Sequence, residues 1–167
     1  MATTSSAPSR QIYTIGHSTR PFAEFLTLLR TFGVNQLVDI RTIAGSRHNP
    51  QYGKEALASS LPAAGIGYRH ATGLGGLRKT HADSPNGAWH NASFRGYADY
   101  MQTPEFAAAL ADLIELARSQ CVAIMCAEAV PWRCHRSLVG DALVVRGFRV
   151  DDIMSRTKLH RHTLTRF

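Results

Sequence analysis

Hydrophobic and polar positions alternate along the chain in blocks that switch between a two-residue and a helical period. Ile12 to Ile15 is a short β-branched and aromatic run that ends in Gly16-His17-Ser18-Thr19. After Pro21, apolar residues fall at Phe22, Phe25, Leu26, Leu28, Leu29 and Phe32, a helical spacing that Gly33 stops. Gln36 to Ile40 predicts a second strand, ending at Asp39-Ile40-Arg41. A polar loop with Arg47, His48, Asn49 and Pro50 leads to a helix over Lys54 to Ala64, stopped by Gly65, and a short strand near Gly67 to His70. Phe94 to Met101 and Pro104 to Arg118 predict two helices. Thr103 is placed to cap the second, with Pro104 at its first position and Glu105 in its first turn. Its buried stripe is Phe106, Leu110, Leu113, Ile114 and Ala117. Val122 to Cys126 is continuously apolar, the pattern of a strand covered on both faces. A helix over Cys134 to Arg146, closed by Gly147, and a strand over Val150 to Met154 complete the series.

Strands alternating with helices predict an α/β fold: a single domain with a mostly parallel open sheet of about five strands and helices on both faces. Residues 1–10, rich in Ala, Thr, Ser and Pro, read as a disordered leader, residues 11–154 as the domain, and residues 155–167 as a basic C-terminal tail. Thr72 to Ser93 breaks every period and reads as a long loop able to act as a lid. Within it, Trp89 and His90, with Phe94 just beyond, are candidates to stack on a ring, whereas His81 and Ser84 carry no signal.

The 167 residues are 44% hydrophobic and 19% charged, enough to bury a core without disulfide staples. Three cysteines cannot all pair within one chain, and no apolar stretch approaches the roughly 20 residues of a membrane span. A reducing, cytoplasmic location is therefore expected, with no membrane partner. The formal charge of +7 comes from 16 Arg and 3 Lys against 12 acidic residues. It points to an anionic partner, a nucleotide or nucleic acid being the expectation, because guanidinium forks suit phosphate. The tail SRTKLHRHTLTRF, with Arg156, Lys158, Arg161 and Arg166 beside His160 and His162, is the best phosphate-tracking stretch. Neither a dinucleotide fingerprint nor a Walker loop is present, and no cofactor is expected.

In open parallel sheets, ligands bind outside the carboxyl ends of the strands. The unusual residues fall at that rim: His17 and Ser18 after the first strand, Asp39 and Arg41 at the end of the second, His70 at the third, and MCAEAVPWRCHR after the fourth. The last stretch runs into a helix N-terminus, where free N–H groups favour an anion and Arg133 and Arg136 add charge. Glu128 and Asp39 are candidate general acid/base or nucleophilic carboxylates with His17 beside them, and Glu128, followed by Ala-Val-Pro-Trp, is expected to be partly desolvated with a raised pKa. Asp39 and Arg41 could equally brace loops. Arg41, Arg133, His135 and Arg136, with Ser18 and the Gly75-Gly76 turn, are expected to hold the substrate. A Cys followed by Arg after a strand is similar to the C-x5-R loop of phosphatases and rhodaneses, but six residues separate Cys126 from Arg133. Cys126 reads first as a buried structural cysteine, and Cys126 and Cys134 as a candidate thiol pair second. Cys126, Cys134, His135 and His17 are soft ligands, yet C-x7-C-H has no second short-spaced pair and no metal is expected.

The segments GHST, DIR, YRHATGLGG, FRGYADYMQTPEF and MCAEAVPWRCHRSLVGDAL ahead of RGFRV, from Ile12 to about Ile153, together resemble the DUF488 proteins, a bacterial and archaeal group without an assigned reaction. The closing HTLT is also similar to that family's last segment, though here Arg166-Phe167 follows. The resemblance implies a small α/β domain whose polar residues gather at one rim: His17, Ser18, Asp39, Arg41, Gly75, Gly76, Cys126, Glu128, Cys134, His135 and Arg136. The expected function is an enzyme of hydrolysis or transfer on a phosphate-bearing substrate through carboxylates. The alternatives are a non-catalytic nucleic-acid-binding module and thiol- or metal-dependent chemistry at Cys126 and Cys134.

Overall fold

The computed structural model of the chain describes residues 10–76, 78 and 92–165. Among these residues six strands form one sheet: β1 (Gln11–Gly16), β2 (Gln36–Asp39), β3 (Gly67–His70), β4 (Val122–Cys126), β5 (Arg149–Ile153) and β6 (Leu159–Arg161). They lie in the order β3-β2-β4-β1-β5-β6. Every neighbouring pair is parallel except β5 and β6. Among the described residues, five helices cover the faces: α1 (Phe22–Thr31), α2 (Lys54–Ala63), α3 (Ala92–Tyr100), α4 (Pro104–Ala117) and α5 (Arg136–Val145). The mostly parallel α/β sheet expected from the alternation is thus present, with one strand more than the pattern gave.

The helices sort by sequence. Phe25, Leu28 and Leu29 of α1 and Leu57 and Leu61 of α2 pack with Ile15, Leu37, Ala123 and Met125 on one face. Phe106, Leu110 and Leu113 of α4 and Leu138, Val139 and Leu143 of α5 pack with Ile12, Val38, Ile124 and Cys126 on the other. Successive residues of β2 and β4 therefore serve opposite cores, which is why β4 reads as an unbroken apolar run buried at all five positions. Burial of each such side chain is worth roughly 1.5–3 kcal/mol.

Chain punctuation follows the sequence closely. Thr103 Oγ1 accepts the Phe106 N–H at 3.3 Å and caps α4. The glycines that stop α1, α2 and α5 all take left-handed backbone, with φ of 73°, 80° and 87°. β6 was not foreseen. It lies inside the stretch read as a basic tail and pairs antiparallel with β5, Asp152 opposite His160. Residues 1–9 of the expected leader, residues 77 and 79–91 of the expected loop, and with them Trp89, His90, His81 and Ser84, lie outside the described residues. No helix among the described residues is long and apolar enough to cross a membrane.

Candidate functional site

Strand order places the site. The chain leaves β1 for α1 on one face of the sheet and leaves β4 for α5 on the other, and β1 and β4 are neighbours. A crevice opens where two such connections diverge. The two loops touch at their backbones: His17 N–H donates to Cys126 O and Ser18 N–H to Ala127 O, each at 2.9 Å. A Cβ on Gly16 would lie 1.9 Å from Glu128 O, so only glycine allows this approach. Ser18 follows with a φ of 50°.

The polar residues of the rim form two groups on opposite faces. On the α1–α2 face, Asp39 is completely buried. Arg41 grips it through Nε to Oδ1 at 2.9 Å and Nη2 to Oδ2 at 2.7 Å. The Arg41 N–H adds a bond to Oδ1 at 3.1 Å, and the Tyr68 hydroxyl donates to Oδ2 at 2.7 Å. Arg41 Nη2 also donates to Tyr52 O at 2.6 Å, and Nη1 lies 3.4 Å from His17 Nε2. Burial opposes the Arg41 charge, but the hydrogen bonds and charge of Asp39 outweigh it and hold the guanidinium pKa above its ordinary value. His17 stacks on Tyr52 with ring centroids 4.3 Å apart and places Nδ1 2.8 Å from Ser18 O. Burial lowers its pKa; the Ser18 carbonyl opposes that shift and the Arg41 charge adds to it. A neutral ring with Nδ1–H on Ser18 O leaves Nε2 to accept from Arg41.

On the α4–α5 face stand the two cysteines. Cys134 Sγ donates to Cys126 Sγ at 2.6 Å, and Arg136 Nη1 donates to the same Cys126 sulfur at 3.0 Å. Nη1 also reaches Glu128 O at 2.8 Å and Nη2 reaches Ala129 O at 3.5 Å, so the guanidinium ties the loop's carbonyls to the sulfur. Arg136 is 1% exposed, and its Nε has no hydrogen-bond partner among the described residues. The Cys134 hydrogen bond lowers the Cys126 pKa to about 7, against desolvation and with help from the Arg136 charge. Cys134 moves the other way: it supplies the hydrogen bond, is buried, and faces the neighbouring thiolate, all of which hold its proton. The pair thus begins to share one proton between two sulfurs around neutral pH.

His135 packs beside this pair, with Nδ1 3.5 Å from Cys134 Sγ and Nε2 2.9 Å from Ile40 O, and burial lowers its pKa. The Gly75-Gly76 turn forms the wall over it. A Cβ on Gly76 would sit 2.9 Å from His135 Nδ1, and Thr42 Oγ1 donates to Gly76 O at 2.7 Å. Tyr97 and Tyr100 of α3 pin the preceding turn through Leu74 O and Gly73 O, at 2.9 and 2.7 Å.

Several expectations are corrected by this geometry. Glu128 is exposed, and its Oε1 accepts the Val130 N–H at 3.1 Å, so it braces its own loop instead of being desolvated. Asp39 sits in the opposite layer, beneath four hydrogen bonds, and the two carboxylates do not form a pair. The arginine that meets Cys126 is Arg136, ten residues on, and not the exposed Arg133 of the C-x6-R spacing. Arg41 and Arg136 are both buried against protein acceptors and do not line an open anion site. Among the described residues no group of three or more His, Cys, Asp or Glu is arranged to hold a metal ion. Sequence reasoning left out Tyr52, Tyr68 and Thr42; Tyr52 and Tyr68 look like ordinary core aromatics in the sequence, and only the fold turns their polar ends to the rim.

The fold and site define a class: a doubly wound α/β domain with a buried, arginine-held thiol pair at its switch point. The chain belongs to DUF488, described as a domain of unknown function, whose family model matches residues 21–143. No curated protein and no solved structure matches it.

Proposed function

We propose that the protein is a thiol-dependent oxidoreductase in which Cys126 is the nucleophile and Cys134 the resolving thiol. The supporting observation is the 2.6 Å approach of the two sulfurs with the Arg136 guanidinium on Cys126. The substrate class is a disulfide. The Cys126 thiolate attacks one substrate sulfur, forming a mixed disulfide and expelling the other sulfur as a thiolate. Cys134, after giving up its proton to that leaving group, attacks Cys126 Sγ and expels the second substrate thiolate, which takes a proton from solvent. Two protein thiols are oxidised to one disulfide and the substrate is reduced to two thiols; the reverse sequence oxidises a substrate dithiol. Both cysteines are nearly closed to solvent, so the Ala127–Cys134 loop must swing outward to admit substrate.

Carboxylate catalysis has less support, because Asp39 is consumed by Arg41 and Tyr68 and Glu128 stands in solvent. The test is the pH dependence of Cys126 alkylation in the full chain, followed by thiol release from an aryl disulfide. Half-maximal reactivity is expected at pH about 7. Cys134→Ala should raise that midpoint by about one to two pH units, the worth of a hydrogen bond to a charged group. It should also stop turnover at the mixed disulfide, seen as a mass adduct on Cys126. A midpoint unchanged by Cys134→Ala, or full turnover in Cys126→Ser, would overturn the assignment.

A further inference from the structure

A second cavity, of about 270 Å³, lies behind the cysteine loop, between the 3-10 turn Pro131–Arg133, the start of α5, β5, and the segment that follows β6. Trp132, Ser137, Asp152, His160 and His162 line it, and none of its described lining residues is Lys or Arg. This is unexpected in a chain of charge +7. Asp152 is 2% exposed, yet among the described residues no Lys or Arg pairs with it. It accepts the Thr14 hydroxyl on one oxygen and faces His160 Nδ1 at 3.2 Å with the other. Both oxygens keep a further lone pair for a donor.

Trp132 is 59% exposed and meets the His160 ring edge-on, with centroids 5.9 Å apart. A large aromatic ring left bare beside a cavity offers a stacking surface. The back wall is fixed. His162 Nε2 lies 2.7 Å from Asp141 Oδ1, which also accepts the Thr165 N–H at 3.0 Å. A Cβ on Gly140 would lie 3.0 Å from the His162 ring, so the absent side chain lets that ring lie on α5. Outside the cavity, exposed Arg133, Arg156 and Lys158 flank Trp132 and His160 in sequence.

We propose that this cavity binds the base of a purine nucleotide whose N–H donor edge faces Asp152. The ring stacks on Trp132, the acidic floor takes ring and exocyclic N–H groups, and the basic exterior takes the phosphate. Guanine, with two adjacent N–H donors, fits a carboxylate best; uracil, whose ring N–H is flanked by carbonyl oxygens, fits worst. The site does not depend on the thiol reading, because it asks only for binding.

The test is calorimetric titration of the full chain with GMP, UMP and inorganic phosphate. GMP is expected to bind roughly tenfold or more tighter than UMP, with phosphate competing only weakly. Trp132→Ala should weaken GMP about fivefold to a hundredfold, and Trp132→Phe should keep most of the affinity, because stacking needs a ring and not an indole N–H. Asp152→Asn should narrow the difference between GMP and UMP. Equal binding of the two nucleotides, full competition by phosphate, or GMP affinity unchanged in Trp132→Ala would each overturn the proposal. Cys126→Ser should bind GMP as the wild type does, so loss of turnover and loss of binding are read separately.

Discussion

Arg41 and Arg136 are both buried at the same rim, one on each face of the sheet. Arg41 meets a carboxylate with two of its nitrogens, a carbonyl with one of them again, and an imidazole with the third. Arg136 meets two carbonyls and a sulfur and leaves Nε without a partner among the described residues. The first arrangement neutralises a fixed charge and resists change. The second keeps its compensating anion on a group that must lose a proton to supply it. Burial of one residue type thus yields a brace on one face and an ionisable thiol pair on the other, and the difference lies in the partner's proton.

The largest effect that would test the contrast is on the braced half. Arg41→Leu leaves the Asp39 carboxylate buried without a counter-charge and should cost about 3–5 kcal/mol in denaturant unfolding. A loss below about 1 kcal/mol would mean that the pair is not the brace described. On the reactive half, Gly76→Ala places a methyl against His135 and should cost about 1–3 kcal/mol by overpacking. It should also shift the pH midpoint of Cys126 alkylation while leaving the Tyr68–Asp39 contact intact. An unchanged midpoint would separate His135 from the thiol pair.

The smallest effect is the pH dependence of stability. His17 is buried and its pKa is lowered below the ordinary 6.5. The unfolded chain therefore binds a proton before the folded one does. This contribution to stability is fully present above pH 6.5 and falls away as pH drops from there toward the folded-state value. His17→Gln should flatten the stability curve over that window, as followed by thermal unfolding at a series of pH values. An identical slope in the variant would assign the acid sensitivity to His135, which is shifted the same way.

Much of this was legible in the sequence where one local rule decides. The Thr103-Pro104-Glu105 start of α4 and the glycines after α1, α2 and α5 are set by neighbours within a few residues. The all-apolar β4 was readable because burial on both faces leaves a continuous run. The rim could be named because strand ends are where polar residues interrupt such runs. Which of those residues touch was not legible, since side chains one position apart on a strand serve opposite cores. Asp39 and Glu128 look alike in the sequence, yet Asp39 Oδ2 ends under the Tyr68 hydroxyl and Glu128 ends in solvent. β6 escaped because Leu-His-Arg has no period to read; its place is fixed at long range by Asp152 opposite His160 and by the His162–Asp141 contact.

That three-residue strand also decides what the sheet offers at its edge. Without it, β5, buried at four of its five positions, would present a free row of N–H and C=O groups at the edge of the sheet. β6 occupies that row, runs the opposite way, and is too short to template another strand. Its outward Arg161 and the preceding Lys158 are exposed charges that repel a second edge. The segment whose sequence reads as a basic tail therefore forms the selvedge of the sheet.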